Sequence, residues 1–308
     1  MDGWLESLVP WGTEAIVQVQ AIIKNEGLIA AFKFLTFLGY EEFYLILLPF
    51  VYWCIHRECG VSLGYLSMSS AWLNSAIKYL FAIPRPSDPR IRIPLPETSP
   101  SFPSGHAQGA VVNWGYLAHR LRNRVFWAVA VLLIIGIGFS RVVLGVHFPQ
   151  DVLGGWLIGL ILLVTFAWAQ PYVCRWLAVR RPIVQLVLAI VPPILLIALH
   201  PTDPEGFYPA EGAITPAGAL FDLGIGVMME RTRVRFQVDG AWRRRGLRFL
   251  LGILIVAALY LGPKLLIPEE MAYGLEAAVR FLRYALLGWT VAFLCPWLFV
   301  RLRLAERE

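Results

Sequence analysis

Two histidines, a carboxylate and several cations lie in a part of the sequence that is otherwise strongly apolar. They form three clusters: Lys78 with Arg85; Ser104, Gly105 and His106; and Arg141, His147 and Asp151. Ionisable groups are costly in apolar surroundings, so there they mark functional sites. Cations can bind an anion, and a histidine beside a carboxylate can act as a nucleophile or a general base. The clusters therefore predict chemistry on an anionic group.

The first cluster is a lysine followed by an arginine two helical turns later. Lys78 and Arg85 are seven residues apart, so a continuous helix would place both side chains on one face. Pro84 and Pro86 then stop the helix. A lone lysine near a helix end could reach to the membrane interface. The pair favours a bound anion, because an arginine fork suits phosphate oxygens and lysine adds a point charge.

The second cluster has the features of a helix start that binds an anion. Ser104 is a suitable N-cap, and Gly105 lets an anion approach the backbone. The free N–H groups of a first helical turn, together with the helix dipole, attract negative charge. An ordinary capped helix would explain the Ser-Gly pair but not the histidine that follows it, His106.

The third cluster pairs a histidine with a carboxylate. His147 and Asp151 are four residues apart and can meet if the turn between them is helical, and Pro149 suits a first helical turn. A carboxylate bonded to one imidazole nitrogen fixes the tautomer and leaves the other nitrogen as nucleophile or base. Asp151 alone could instead cap the helix. These residues do not decide which of the two histidines attacks.

A metal site is the alternative use of these side chains. His106, His147 and Asp151 could ligate zinc, but the three neighbouring cations would repel a metal and favour an anion. We therefore expect no metal and no cofactor.

The composition indicates which elements position the clusters. Of the 308 residues, 58% are hydrophobic and only 16% are charged, with a mean hydropathy of +0.63. These values exclude an ordinary soluble domain and predict an all-α integral membrane protein built as a multi-span helical bundle. The net charge of +6 is attributed to arginines that set membrane topology, not to nucleic-acid binding.

Apolar runs divide the chain into three predicted parts. Residues 1–40 are expected to form one or two amphipathic interfacial helices, with a short first span as the alternative. Residues 41–170 are expected to form the core, and 171–308 an extension of about four spans. The nine candidate spans are 42–56, 61–83, 105–119, 125–141, 151–170, 182–199, 215–229, 247–267 and 281–300.

The arginines predict which side of the membrane the clusters face. The links after the first, third, fifth, seventh and ninth spans hold 17 of the 27 basic residues, whereas the opposite links, including 268–271, are proline-rich or acidic. Arginine-rich links remain cytoplasmic. All three clusters are therefore expected on the outer side.

Together the clusters resemble the three-part signature of the type 2 phosphatidic acid phosphatase superfamily. In this sequence the motifs are Lys78-x6-Arg85-Pro86, Pro103-Ser104-Gly105-His106 and Ser140-Arg141-x5-His147-x3-Asp151. Three ordered motifs at these spacings are a specific signal, although each alone is weak. The likeness covers about residues 38–170. A softer likeness links 38–44 to the sphingosine-1-phosphate phosphatase branch.

The resemblance implies a phosphatidic acid phosphatase/haloperoxidase-like core plus additional C-terminal transmembrane helices. It further implies a lipid phosphate or diphosphate phosphatase in which His147 attacks phosphorus to form a phosphohistidine, oriented by Asp151. His106 would protonate the leaving oxygen and then activate water. The phosphoryl oxygens would be held by Lys78, Arg85, Ser104, Gly105 and Arg141.

We expect this enzyme in the inner (plasma) membrane, with its site facing the periplasm or cell exterior. Expected partners are membrane lipids and a lipid phosphate, such as undecaprenyl diphosphate, phosphatidate or a sphingoid-base phosphate, and no nucleic acid. The C-terminal spans could form a homodimer. The alternative functions are a lipid-to-lipid phosphotransferase and a non-catalytic lipid-phosphate binder or transporter.

Overall fold

Helices account for most of the chain that the computed structural model describes, residues 4–266 and 271–308. Residues 268–270 of the predicted last outer link, and residue 267 of the predicted eighth span, lie outside this part. The described α-helices are α1 Trp4–Ser7, α2 Val9–Ile22, α3 Glu26–Phe37, α4 Glu41–Phe50, α5 Arg57–Phe81, α6 Gly105–Leu121, α7 Arg124–Val143, α8 Pro149–Ala178, α9 Pro182–Leu199, α10 Thr215–Met229, α11 Trp242–Leu266, α12 Tyr273–Trp289 and α13 Cys295–Arg301.

Single π-helical turns extend or join several of these helices. They cover Val51–Ile55, Ala210–Ile214, Glu230–Val234 and Thr290–Leu294. Extended pairing within the described ranges is limited to one isolated bridge between Phe236 and Arg307. The predicted all-α, multi-span membrane fold is confirmed.

Within residues 4–266 and 271–308, six helical stretches are long and apolar enough to cross a membrane, fewer than the nine candidate spans of the sequence analysis. They are Arg124–Val143, Pro149–Ala178, Pro182–Leu199, Ala210–Val234, Trp242–Gly262 and Tyr273–Arg301. Helices α3 and α4 with its π-turn, bent by 55°, would make a seventh if they form one span. The predicted spans 61–83 and 105–119 are helices α5 and α6, but α6 has only 17 residues and α5 carries many serines. Their polar residues reduce the apolar length that the sequence pattern had suggested.

The chain divides into two compact units. The first combines Met1–Tyr44 with Leu73–Gln170, and the second combines Leu45–Trp72 with Pro171–Glu308. Residues 45–72, which the sequence analysis assigned to the 41–170 core, thus group with the C-terminal part. The predicted three-part division by function stays a prediction.

In the first unit, glycines let α8 approach the start of α6. A Cβ added to Gly155 would lie 2.5 Å from the carbonyl oxygen of Ser104, and one added to Gly159 would lie 2.8 Å from that of Gln108. Glycines four residues apart lie on one face of a helix and permit close backbone contact. The start of α6, which carries His106, is therefore held directly against α8.

Helix α2 belongs to the core of the first unit. Ile16 is fully buried in a cluster that includes Phe148 and Val152. Gln20, which interrupts the apolar pattern, donates from Nε2 to the carbonyls of Arg92 and Val143 at 2.9 and 3.0 Å. Within residues 4–40, for which the sequence predicted one or two helices, the structure has three, α1, α2 and α3; their interfacial location stays a prediction.

In the second unit, a proline accounts for one of the π-helical turns. Pro296 has no N–H to bond the carbonyl of Ala292 four residues earlier, and π-bulges accommodate such irregularities. The freed carbonyl accepts from the Tyr52 hydroxyl at 3.0 Å, while the neighbouring Val291 carbonyl accepts from the Trp53 indole at 3.0 Å. These aromatics lie in the core of this unit.

The arginine-rich link 231–248 also has a packing role. Arg248 is fully buried and donates to the carbonyls of Gln237 and Val238. Buried Glu230 accepts from the Phe236 N–H at 3.0 Å and from Arg57 at 3.4 Å. Not all of these arginines are therefore surface charges that only set topology.

Candidate active site

The predicted site residues all lie in the first unit, at helix ends or in the connections beside them. Lys78 is in the last turn of α5, Ser104 caps α6, Arg141 is in the last turn of α7, and Asp151 is in the first turn of α8. Arg85 follows α5 in the connection 82–104, Gly105 and His106 open α6, and His147 lies between α7 and α8.

The third cluster forms the predicted histidine–carboxylate pair. His147 Nδ1 lies 3.3 Å from Asp151 Oδ2, and both side chains are only 1% exposed. The same oxygen accepts from the Phe148 N–H at 2.9 Å and from the Ser101 hydroxyl. Asp151 thus caps the start of α8 and also orients the imidazole of His147. The sequence analysis had left these two roles as alternatives. Its bond to Nδ1 directs Nε2 of His147 to the other side of the ring, where Arg85 lies.

Arg85 lies against that second nitrogen. Its Nη1 is 3.2 Å from His147 Nε2 and donates to the Val146 carbonyl at 2.7 Å. Its Nε donates to the Ser99 carbonyl at 2.6 Å. The guanidinium is therefore fixed from two directions before any substrate binds.

Arg141 and Lys78 complete a group of three cations, which we call the cationic cup (Lys78, Arg85 and Arg141). Arg141 is fully buried and donates from Nη1 to the Thr36 hydroxyl at 2.5 Å. Lys78 donates to the Pro100 carbonyl and lies 3.4 Å from the Ser99 hydroxyl. Arg85 contacts His147 at 3.2 Å, and the Ser104 N–H donates to the Asp151 carbonyl at 2.9 Å, so contacts link all three clusters. The structure thus brings the three sequence clusters together.

His106 is held by the turn between α3 and α4. Its ring lies edge-on to Tyr40, with centroids 4.8 Å apart and an interplanar angle of 83°. A Cβ on Gly39 would come within 2.5 Å of its Cδ2 atom. Among the described residues, the buried Nε2 atom has no hydrogen-bond partner. This nitrogen is therefore available to exchange a proton with a bound group.

The start of α6 differs in one detail from the sequence-based expectation that the Ser104 and Gly105 amides bind an anion. The Ser104 N–H donates to the Asp151 carbonyl at 2.9 Å, so it is already engaged. The Ser104 hydroxyl caps the helix by accepting from the Ala107 N–H at 3.4 Å. In a first helical turn the next two amides, at Gly105 and His106, have no intrahelical acceptor. These amides are better placed to meet an anion than that of Ser104.

Burial and positive charge keep His147 neutral. Burial lowers the pKa of His147 well below its usual range, and the nearby charges of Lys78, Arg85 and Arg141 lower it further. A neutral imidazole has a lone pair to offer, so this environment favours the nucleophilic form at neutral pH.

The connection 82–104 supplies contacts that the sequence analysis missed. Ser99 and Ser101 bond Arg85 and Asp151, respectively. Glu97 reaches the cationic cup itself: its Oε2 lies 2.7 Å from Arg85 Nη2 and its Oε1 bonds Arg141 Nη2. The serines and the glutamate of this proline-rich connection do not form a recognisable sequence motif. The proline content of this loop is its only distinctive feature in the sequence.

Thr36, Gly39 and Tyr40 were also missed as site residues. A partial signal existed, because Gly39 and Tyr40 lie in the stretch 38–44 that resembles one phosphatase branch. For metal binding, no group of three His, Cys, Asp or Glu side chains in the described part of the chain is arranged to hold an ion. Independence from metals stays a prediction.

Two family models match the chain. The PAP2 superfamily model matches residues 60–175, which include all eight predicted site residues, and the model for the transmembrane extension of PAP2 superfamily phosphatases matches residues 214–307. The chain belongs to the PAP2 superfamily. It is a multi-pass membrane protein, and its C-terminal part matches the transmembrane extension of PAP2 superfamily phosphatases.

Individual relatives of this PAP2 chain are lipid phosphatases. Lipid phosphate phosphatase delta of Arabidopsis thaliana is 26% identical over 79% of the chain, and a dihydrosphingosine 1-phosphate phosphatase of Schizosaccharomyces pombe is 25% identical over 70%. The alignments span 61% and 55% of those two proteins. The crystal structure of a PAP2-type phosphatidylglycerolphosphate phosphatase from Bacillus subtilis matches 56% of the chain and 89% of that protein, with 25% identity and a TM-score of 0.47.

Proposed function

We propose that this chain hydrolyses a terminal phosphate from a lipid phosphate or diphosphate, with a phosphohistidine at His147 as the intermediate. The observation that carries the proposal is the orientation of that ring. Asp151 binds Nδ1 at 3.3 Å, while Arg85 of the cationic cup lies 3.2 Å from Nε2. A nucleophile that is oriented by a carboxylate and faces a cationic site suits attack on a phosphoryl group.

In the first step, Nε2 of His147 forms a bond to phosphorus as the bond from phosphorus to the lipid oxygen breaks. His106 gives its proton to the departing oxygen. In the second step, His106 takes a proton from water, the water oxygen bonds to phosphorus, and the bond from Nε2 to phosphorus breaks. The products are the lipid with one phosphate fewer and inorganic phosphate, and both histidines return to their starting states.

The cationic cup supplies the charge stabilisation that this reaction needs. Hydrolysis of phosphate monoesters is so slow that enzymes accelerate it by up to about 10²¹-fold. Fixed donors aimed at developing negative charge provide the largest share of such effects. Arg85 and Arg141 are held by protein oxygens, so they need little reorganisation when the phosphoryl group arrives. This scheme uses no metal ion.

The proposed location is the inner (plasma) membrane, with the site on the periplasmic or external side. The arginine-rich links support this orientation, because they alternate with the links that carry the site. The proposed division of labour assigns catalysis to residues 41–170 and packing or dimerisation to 171–308. The relatives support a lipid phosphate as substrate without selecting a headgroup.

Phosphate release from a panel of lipid phosphates, measured with the full chain in detergent, tests the proposal. The panel contains undecaprenyl diphosphate, phosphatidate, phosphatidylglycerophosphate and a sphingoid-base phosphate. We expect wild-type turnover on at least one of them and its loss in His147→Ala. Unchanged turnover in that variant would refute the mechanism. Transfer of labelled phosphate to a second lipid would instead indicate a phosphotransferase, and stable binding without any product a lipid-phosphate binder.

A further inference from the structure

Glu97 occupies the place that the proposed mechanism gives to the substrate. Its two carboxylate oxygens bind separate arginines of the cationic cup, with Oε2 2.7 Å from Arg85 Nη2 and Oε1 bonded to Arg141 Nη2. Oε2 also lies 4.0 Å from Nε2 of His147. A carboxylate that bridges two guanidinium groups presents two oxygens, as a phosphoryl group would.

The carboxylate and a phosphoryl group cannot share this position. Nucleophilic attack requires phosphorus about 3–3.5 Å from the attacking nitrogen. An oxygen of Glu97 already lies 4.0 Å from that nitrogen and satisfies the same two arginines. For His147 to react, Glu97 must therefore leave the cup.

The surroundings of Glu97 allow such an exchange. Its side chain is 25% exposed, and it lies in the non-helical connection 82–104, so it has a route to solvent. The two arginines have other anchors, because Arg85 binds the Ser99 and Val146 carbonyls and Arg141 binds Thr36. The cup can thus keep its shape when the carboxylate is gone.

We propose that Glu97 is an internal ligand of the cationic cup and that substrate binds by exchange with it. This inference rests on the proposed function for the identity of the incoming group. Unpaired buried cations are costly, so Glu97 neutralises the cup between turnovers. When a site is available only part of the time, the apparent affinity falls by that fraction, whichever ligand binds. Glu97 thus lowers the apparent affinity of every anion that competes for the cup by the same factor.

The direct test is anion binding to the full chain in detergent. Inorganic phosphate and sulfate are titrated into His147→Ala and into the same variant with Glu97→Gln, so that turnover cannot interfere. If Glu97 fills the cup about 90% of the time, both dissociation constants should fall about 10-fold. The matched control is Asp88→Asn. Asp88 lies in the same connection as Glu97, and its carboxylate pairs with Arg90 and not with the cup. It should change either constant by less than about twofold on electrostatic grounds.

Several results would overturn the inference. Unchanged or weaker anion binding in Glu97→Gln would show that the carboxylate does not compete. A much larger gain in affinity for one anion than for the other would indicate direct repulsion between Glu97 and a bound ligand. An equal gain in affinity in Asp88→Asn would indicate a general charge effect. Because these measurements require no turnover, they decide the role of Glu97 even if the chain releases no phosphate from any lipid. With an active chain, Glu97→Gln should also lower KM while kcat is retained.

Discussion

Replacing Gly39 with alanine tests whether the turn between α3 and α4 positions His106. The added Cβ would lie 2.5 Å from His106 Cδ2 and 3.1 Å from its Cγ. Non-bonded carbons pack about 3.5–4.0 Å apart, so the imidazole or the turn must shift by roughly 1 Å. A displacement of about 1 Å in an active site can cost on the order of 100-fold in rate. We therefore expect kcat to fall about 100-fold, because His106 would no longer reach the leaving oxygen.

The assay is phosphate release from the best lipid substrate, with thermal unfolding as a check on folding. Gly246→Ala in α11 is a suitable control, because no atom lies within 4 Å of its added Cβ. It should leave kcat unchanged and stabilise the helix by about 0.5–1 kcal/mol. Tyr40→Phe keeps the ring that lies against His106 and should retain activity. A folded Gly39→Ala variant with kcat within twofold of wild type would refute the positioning role.

Three further predictions concern the pair of His147 and Asp151 and the topology. Asp151→Asn removes the charged acceptor of His147 Nδ1, so kcat for phosphate release should fall by about 10²–10⁴-fold, and a loss below tenfold would contradict the orienting role. Below pH about 6.5 the unfolded chain protonates residue 147 while the folded chain does not, because the pKa of His147 is held well below that value. The free energy of unfolding of the wild type, relative to that of His147→Gln, should therefore be constant near pH 7.5. Below pH 6.5 it should decrease by at most about 1.4 kcal/mol per pH unit, and thermal melts that show the opposite trend would exclude a neutral His147. Cys174 is exposed near the end of α8 on the side assigned to the cytoplasm, so a membrane-impermeant maleimide should label it in inverted but not in right-side-out vesicles when the other cysteines are replaced by serine.

The sequence predicted the parts of the site that depend on local spacing. His147 and Asp151 are four residues apart, and Ser104 immediately precedes the helix that it caps. Such relations follow from helix geometry, so they can be read without a fold. Family motifs then supplied the roles that spacing alone left open, including the choice of attacking histidine.

The contacts that the sequence did not predict join residues far apart in the chain. Glu97 meets Arg141 across 44 positions, and Thr36 meets the same arginine across 105. No local pattern encodes these distances, because they depend on how the helices and the connection 82–104 pack. The sequence analysis gave nine candidate spans and the described part of the structure six or seven, for a related reason: α5 and α6 hold buried polar residues, such as Lys78 in α5 and Gln108 in α6. Apolar patterning does not distinguish a helix that borders a polar site from one surrounded by lipid.

The proposed mechanism requires Nε2 of His147 to become covalently bonded to phosphorus. The most direct measurement is to mix the wild-type chain with a lipid substrate carrying a labelled phosphate, stop the reaction in alkali within a turnover, and map the label. We expect labelled phosphohistidine at residue 147 in the wild type, more of it in His106→Ala if water activation is slowed more than attack, and none in His147→Ala. Label at His106, or active turnover with no labelled histidine at any time, would exclude a phosphohistidine at His147.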